Sequence, residues 1–386
     1  MKKKAGAQLK LKKNVLEQSL CTGCGACVGL CPYQVIHADR TVQLFDCDLA
    51  QGKCHAFCPR TPADCGRMRE SLFDAVDWTP EIGPVKAYWL ARAADGALRD
   101  RAQHGGTVTA LLRLAMAEGM IDAAIVSGEN AAQEREGRVI GNADALGDYA
   151  GSRFTVSPTV AAFNRLPDAD TRPLGVVATP CQALALAKMK TAQIDGYRKP
   201  ESLALVIGLF CGWTLALERF QELVKKYGLS FPALTGMDIP AGKNILELRS
   251  AGGATDVPLS EVDACVRTAC RFCIDSTAEF ADLSVGAARW GGDNADMRGW
   301  NQVIVRSRRG QELFSLAREK GILEVREAPE QALADLKKAA AEKKKNGLAQ
   351  IVKKSRSVKN LLYLKSDDPA VKKYLGTRNK PKNGKS

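Results

Sequence analysis

The sequence is poor in histidine, with three in 386 residues, and aromatic residues make up only 6% of it. No side chain therefore stands out as a proton donor; His104 is the one histidine beyond residue 55, and its setting in "QHGG" marks a turn residue. No apolar run approaches the ~20 residues that a membrane-spanning helix needs. The opening MKKKAGAQLKLKK leads into no apolar stretch of the kind a secretory signal carries. Neither G-x-G-x-x-G at a strand–helix turn nor G-x-x-x-x-G-K-[ST] occurs, which speaks against an ordinary dinucleotide dehydrogenase and against an ATP-driven subunit. These absences predict a soluble, cytoplasmic chain with no transmembrane segment, long enough for two or three domains.

Charge is unevenly spread. Of the net +13, residues 331–386 contribute +12, from 16 Lys/Arg against 4 Asp/Glu, and the first 13 residues add six lysines. The span 14–330 is left mildly acidic. A basic end can bind nucleic acid, but no zinc finger or aromatic stacking pattern accompanies this one. The expectation is no nucleic acid, and a basic helical C-terminal extension over 331–386 that is solvated or docks on an acidic surface.

Cysteine, by contrast, is plentiful: thirteen residues, four of them in "CTGCGACVGLCP". C-x2-C-x2-C-x3-C-P is the spacing that wraps a [4Fe–4S] cubane, the last cysteine often ligating a neighbouring cluster. Gly23, Gly25 and Gly29 let the backbone turn tightly around it. Structural zinc sites usually split their ligands into two separated pairs, and disulfide frameworks belong to small secreted domains. Cys21, Cys24, Cys27 and Cys31 are therefore read as iron–sulfur ligands. "CDLAQGKCHAFCPRTPADC" then supplies Cys47, Cys54, Cys58 and Cys65, with a second C-x3-C-P at Cys54–Cys58. If the two CP cysteines cross over, Cys58 completes the first cluster with Cys21, Cys24 and Cys27, while Cys31 joins Cys47, Cys54 and Cys65 in a second. The competing reading is a single cluster with some of the second four as buried thiols.

Residues 81–330 alternate β-type runs ("KAYWLARA", "DAAIVSG", "PLGVVAT", "LALVIGLF", "NQVIVRS") with helical ones ("TVTALLRLAMAEGM", "QALALAKMK", "LALERFQELVKKYG", "QELFSLAREKG"). That alternation predicts an α/β catalytic domain, preceded over residues 1–80 by an N-terminal ferredoxin-like α+β iron–sulfur domain. The Thr107 helix places Val108, Leu111, Leu112 and Ala115 on one core-facing stripe. Cys181 and Cys211 follow predicted strands, and "CVRTACRFC" adds Cys265, Cys270 and Cys273. Ligands in open α/β sheets gather beyond the carboxyl ends of strands, so these cysteines either converge on a third cluster or are small core residues. Two loops are anion cradles or plain turns: Gly105 and Gly106 before a helix start, and "YAGSRF" with Arg153.

Taken together, "GGTVTALL", "GSRF", "ATPCQALAL", "IGLFC", "CRFCIDSTAEFADLSVG" and "GWNQVIVRSRRGQEL" resemble, in order and spacing, the β subunits of coenzyme F420-reducing hydrogenases and F420-dependent formate dehydrogenases. The resemblance spans about residues 15–345, and the related chlorophyll reductases share it. It implies bound FAD, with Gly105, Gly106, Thr107, Thr109, Ser152, Arg153, Asp282 and Gly286 as candidate flavin contacts and His104 as a further neighbour. It also implies Cys181, Cys211, Cys270 and Cys273 as the flavin-side cluster ligands, leaving Cys265 as an extra thiol or substitute ligand. The implied activity passes electrons between clusters and FAD, with hydride transfer to or from coenzyme F420 or a similar acceptor. A redox partner subunit or ferredoxin-type donor completes the expected cast. A non-catalytic wiring subunit of a larger complex is the alternative, and reduction of a pigment double bond a third. One departure is "AARWGGDNADMRG", where the family often has a glycine- and serine-rich turn; this bears on the acceptor's identity.

Overall fold

The computed structural model describes residues 6–74, 77–130, 134–194, 197, 199–240, 242–289, 297 and 299–376. Near the N-terminus, β1 (Gln34–His37) and β2 (Arg40–Gln43) form an antiparallel hairpin, and β3 (Asp77–Thr79) pairs with β4 (Gly83–Val85). The body supplies β5 (Ala87–Ala93), β6 (Ala123–Glu129), β7 (Arg135–Ile140), β8 (Leu174–Ala178) and β9 (Leu203–Leu209). A separate three-stranded sheet follows, made of β10 (Gly236–Asp238), β11 (Ile245–Ser250) and β12 (Gly253–Pro258). Then come β13 (Leu283–Ala287), β14 (Asn301–Val305) and β15 (Leu323–Glu327).

Eight strands build the central sheet in the order β15-β5-β14-β13-β9-β8-β6-β7. Its middle, β13-β9-β8-β6, is parallel, and the strands outside it run antiparallel. A parallel strand covered on both faces has no reason to alternate apolar with polar, which explains the unbroken "LALVIGL" of β9. Successive residues still point to opposite faces. Leu205 and Ile207 pack with Leu111, Leu112, Leu313 and Phe314, from the helices Thr107–Ala117 and Arg308–Glu319. Val206 packs on the other face with Val160, Phe163, Ala183 and Leu186, from Thr159–Arg165 and Pro180–Lys190. The sheet is thus a helix–sheet–helix sandwich, as the sequence alternation predicts.

The cysteine-rich segment does not stand apart from this body. Cys24, Ala26, Phe57 and Met68 share one buried cluster with Ile125, Val176 and Leu186. Gly25, at φ +85°, lies so close to the Thr159–Arg165 helix that a Cβ would come within 2.7 Å of the Ala161 backbone nitrogen. The basic C-terminal extension is also part of the body. Its helix Glu330–Ser355 buries Lys344, Leu348 and Ile351, and the last two pack with Leu11, Val15, Leu20 and Phe272. Lys344 forms an ion pair with the buried Glu279.

Candidate metal centres and cofactor site

Cys21, Cys24, Cys27 and Cys58 come together in the first site. Burial pushes the Cys24, Cys27 and Cys58 thiols up, that of Cys58 to about 11, and Cys27 meets Cys21, Cys58 and Cys24. The loop follows the positive φ of Gly23, Gly25 and Gly29, as its spacing requires. Three side chains of the α/β body hold it. Asn164 donates through Nδ2 to the carbonyls of Gly25, Ala26 and Val28 at 3.3, 3.2 and 2.8 Å. Arg267 donates to the carbonyls of Thr22, Cys21 and Asp39 at 2.6, 3.0 and 2.7 Å, and pairs with the Asp39 carboxylate at 3.2 Å. Lys188 donates through Nζ to Cys58 O and Thr61 Oγ1 at 2.6 and 2.7 Å. None of these three was singled out by sequence reasoning; the only local signal was one lysine inside the apolar run "ALALAKM".

Cys31, Cys47 and Cys54 form a second group, in which the Cys54 thiol, raised mainly by burial, interacts with the other two. Cys65 lies elsewhere. It opens the helix Cys65–Leu72 and lines a cleft with Arg60, Arg69, Cys181, Cys273 and Asp368. Burial raises its thiol to about 11, and its charged neighbours are Arg69, Asp368, Glu279 and Lys188. The expected grouping of Cys65 with Cys31, Cys47 and Cys54 is therefore not what the fold brings together.

The third group gathers at the carboxyl ends of the parallel strands. Cys181 stands in the first turn of the helix after β8, Cys211 just past β9, and Cys270 and Cys273 in the turn Thr268–Phe272 and its end. Burial raises Cys181 and Cys211, and both interact with Cys270 and Cys273. Thr179 Oγ1 lies 3.3 Å from Cys181 Sγ, and Thr214 N–H donates to Cys270 Sγ at 3.4 Å. The Arg60 guanidinium, buried beside Cys181, Cys270 and Cys273, donates to Phe272 O and Ala269 O at 3.1 and 3.0 Å. Cys24 of the first site interacts with Cys181 of the third, so the two sites adjoin. Cys265 stays outside, in an apolar cluster with Phe220 and Val262, its thiol donating to Arg219 O.

The donor chemistry fits iron–sulfur clusters. No disulfide joins any of the thirteen cysteines. Among the described residues no group of three or more His, Cys, Asp or Glu closes on a single ion; a cubane instead spreads its thiolates around a body of several irons. Burial, and after it the neighbouring cysteines, keeps these thiols protonated in the bare protein, whereas a coordinating thiol is deprotonated by the metal.

The Gly151 loop packs against the end of the helix Gly96–Arg101, just ahead of the Gly105 loop: a Cβ on Gly151 would stand 3.7 Å from Arg101 O. Gly106, at φ +70°, caps the Thr107–Ala117 helix. Arg153 interacts with Arg135 of β7, and Ser127 Oγ and Arg135 Nε are buried without hydrogen-bond partners. Arg135 already pairs with the Glu129 carboxylate, so the Arg153 guanidinium and the orphaned polar atoms are the groups that suit an anionic ligand. Thr109, further along the helix, is buried, and Ser152 and Arg153 are half-buried. Thr107 is committed inward, its hydroxyl donating to Asn301 Oδ1 at 2.9 Å and lying 3.2 Å from Ala91 O. Gly105 abuts Asn301 and Arg92. His104 lies 3.7 Å from the Asp238 carboxylate. Gly286 leaves room for Phe210, whose ring a Cβ would meet at 2.0 Å. Asp282 precedes β13, at the amino ends of the parallel strands, where its carboxylate accepts from Val206 N–H and the Ser307 hydroxyl. Most of "AARWGGDNADMRG" (290–296 and 298) lies outside the described residues.

A mixed α/β sheet presenting cysteines at its strand ends against a ferredoxin-type loop defines an iron–sulfur oxidoreductase. The chain belongs to the coenzyme F420 hydrogenase/dehydrogenase beta subunit family: the model of its C terminus matches residues 171–331 and that of its N-terminal part residues 88–164. A 4Fe-4S binding domain matches residues 15–37. The chain is 30% identical over 268 residues to the coenzyme F420 hydrogenase subunit beta of Methanothermobacter thermautotrophicus, covering 68% of this chain and 92% of that one. It is 26% identical to a subunit of the F(420)H(2) dehydrogenase of Methanosarcina mazei, over 87% and 92% of the two chains. A chain of the F420-reducing [NiFe] hydrogenase complex from Methanosarcina barkeri superposes with a TM-score of 0.66 at 26% identity, covering 72% of this chain and 95% of that one. Among the described residues no helix is long and apolar enough to cross a membrane.

Proposed function

We propose that this chain is the iron–sulfur flavoprotein subunit of a larger cytoplasmic oxidoreductase, moving electrons between [4Fe–4S] clusters and FAD and exchanging a hydride with coenzyme F420 or a similar flat acceptor. The observation that carries the reading is the adjacency of the Cys21/Cys24/Cys27/Cys58 set to the Cys181/Cys211/Cys270/Cys273 set at the strand ends. When bound, clusters pass electrons singly and FAD pairs them for hydride transfer. The chain's own part is placement. Asn164, Lys188 and Arg267 fix the first cysteine loop, and Arg60 holds positive charge beside the third set. The helix start at Gly106, with Ser152 and Arg153 of the second candidate loop, supplies donors for the flavin's phosphates. The relatives' names supply coenzyme F420 as first acceptor.

The surface at the second cysteine group is apolar: Leu44, Phe45 and Leu49 are 50%, 64% and 62% exposed, and Tyr33 adjoins them. An exposed apolar patch of this kind marks a contact surface, and continuity with Cys31 and Cys47 suits an electron-carrying partner subunit. A pure wiring subunit would use the same cysteine sets without flavin. Anaerobic purification separates the two readings. Bound FAD, with roughly 8–12 iron atoms per chain and acceptor absorbance changes on supplying F420, NAD or NADP with a viologen donor, is the expected result. Iron without flavin makes the chain a wire, and zinc in place of iron overturns both.

A further inference from the structure

We infer that the second cysteine site holds its cluster through three thiolates alone, Cys31, Cys47 and Cys54, and is built for a [3Fe–4S] cluster rather than a four-thiolate cubane. The inference rests on the iron–sulfur reading above and goes beyond it in ligand set and cluster type.

The chain itself brings the three together. The β1–β2 hairpin is prolonged by Leu44 N–H donating to Tyr33 O at 2.9 Å, and the Tyr33 and Phe45 rings meet edge-on at 6.0 Å. Cys31 and Cys47 therefore leave the same end of the hairpin, two residues before Tyr33 and three after Leu44. Gln8 fixes the second of them: its Oε1 accepts Cys47 N–H at 2.7 Å and its Nε2 donates to Phe45 O at 2.8 Å. The same N-terminal turn reaches Cys54. Ala7 N–H donates to Leu49 O at 2.9 Å, and a Cβ on Gly52 would lie 3.2 Å from Ala7 Cβ and 3.4 Å from Cys54 Sγ.

No fourth thiol is left for the site. Of thirteen cysteines, four belong to the first set and four to the third. Cys265 is in an apolar cluster against Phe220, and Cys65 lines the cleft beside Cys181, Cys273 and Arg69. A second observation comes from Gln34 in β1. It is 2% exposed, and its side-chain amide approaches the Cys54 sulfur, favouring the thiolate, without reaching full hydrogen-bond geometry. A buried amide costs free energy unless something accepts from it. The Cys54 thiolate, or a cluster sulfide beside it, is an acceptor of the right kind, and such bonds tune cluster potential.

Each iron of a cubane needs a ligand from outside the cluster. Three thiolates satisfy three irons and leave the fourth without a thiolate, so that corner is labile and its loss on oxidation leaves a [3Fe–4S] unit. Its chemistry is balanced and testable: [3Fe–4S]+ gains one electron from dithionite to give [3Fe–4S]0, which takes up Fe2+ to give [4Fe–4S]2+. The experiment is electron paramagnetic resonance on the anaerobically purified, full-length protein without reductant. A [3Fe–4S]+ signal is expected, because resting [4Fe–4S]2+ clusters are silent. It should disappear in Cys47→Ala, persist unchanged in Cys65→Ala, and be lost from wild type after dithionite and Fe2+. Signals seen only after reduction in wild type, with one of them lost in Cys65→Ala, overturn the inference while leaving the iron–sulfur reading intact. Absence of iron altogether fails that underlying reading instead. A Gln34→Leu variant gives an independent readout: the midpoint potential of the [3Fe–4S] signal should shift downward with its intensity retained.

Discussion

Arg267 carries more of the first cysteine loop than any ligand's neighbour in sequence. Its buried guanidinium serves two carbonyls of the cysteine loop together with the carbonyl and carboxylate of Asp39 in the β1–β2 turn. Methionine at this position fills similar space but leaves those acceptors without a donor. Arg267→Met should cost about 3–5 kcal/mol, the range for removing one partner of a buried ion pair. The thermal midpoint and the iron-to-protein ratio should both fall, and Arg267→Lys should recover part of each, since it restores charge but not the forked geometry. An unchanged iron ratio in Arg267→Met would show that the loop holds itself. The cysteine spacing made the loop and its glycines legible. It could not reveal Arg267, Asn164 or Lys188, which lie 127 to 246 positions from the groups they hold. Side-chain clamps across that separation leave no periodic trace. Cys65 illustrates the opposite hazard. Its place in a run of four cysteines suggested a shared site, yet the helix it begins turns its thiol into a different cleft.

Among the elements, apolar strands and helices were legible because each buries a continuous face. The polar strands were not. β12 was missed because "GATDVP" exposes most of its residues and carries little hydrophobic alternation, whereas β10 and β11 are short runs whose few apolar residues, such as Leu246 and Leu248, face a small separate core. The C-terminal helix was legible as a helix, but its lysines concealed that it packs across the third cysteine set. Gly347 shows how closely. Ordinarily, alanine in place of a mid-helix glycine stabilises by about 0.8–1.0 kcal/mol. Here a Cβ would sit 2.5 Å from the Cys273 carbonyl oxygen and 3.1 Å from its carbon, and backbone cannot swing aside as a flexible side chain can. Gly347→Ala should therefore destabilise: a lower thermal midpoint and a changed visible spectrum from the third set, with the first set's signals retained. A raised midpoint with an unaltered spectrum would mean that the helix rides free of Cys273.

At the scale of the whole molecule, the three cysteine groups define a direction. The second stands under the exposed Leu44, Phe45 and Leu49, and the first joins it through the hairpin and the CP loop. The third adjoins the first through Cys24 and Cys181, at the strand ends where the anion loops also lie. Electrons from a protein partner should then enter at the apolar patch, whereas a small viologen is free to donate at any accessible site. Phe45→Asp combined with Leu49→Asp tests that separation without touching a cysteine. Both side chains are mostly exposed, so the double variant should keep its iron and its thermal midpoint. Acceptor reduction driven by the native partner subunit should fall about tenfold or more, as expected when apolar anchors of an interface are charged. Viologen-driven reduction should be unchanged. Equal loss with both donors would place the damage inside the protein, and no loss with either would put the partner's entry point on another face.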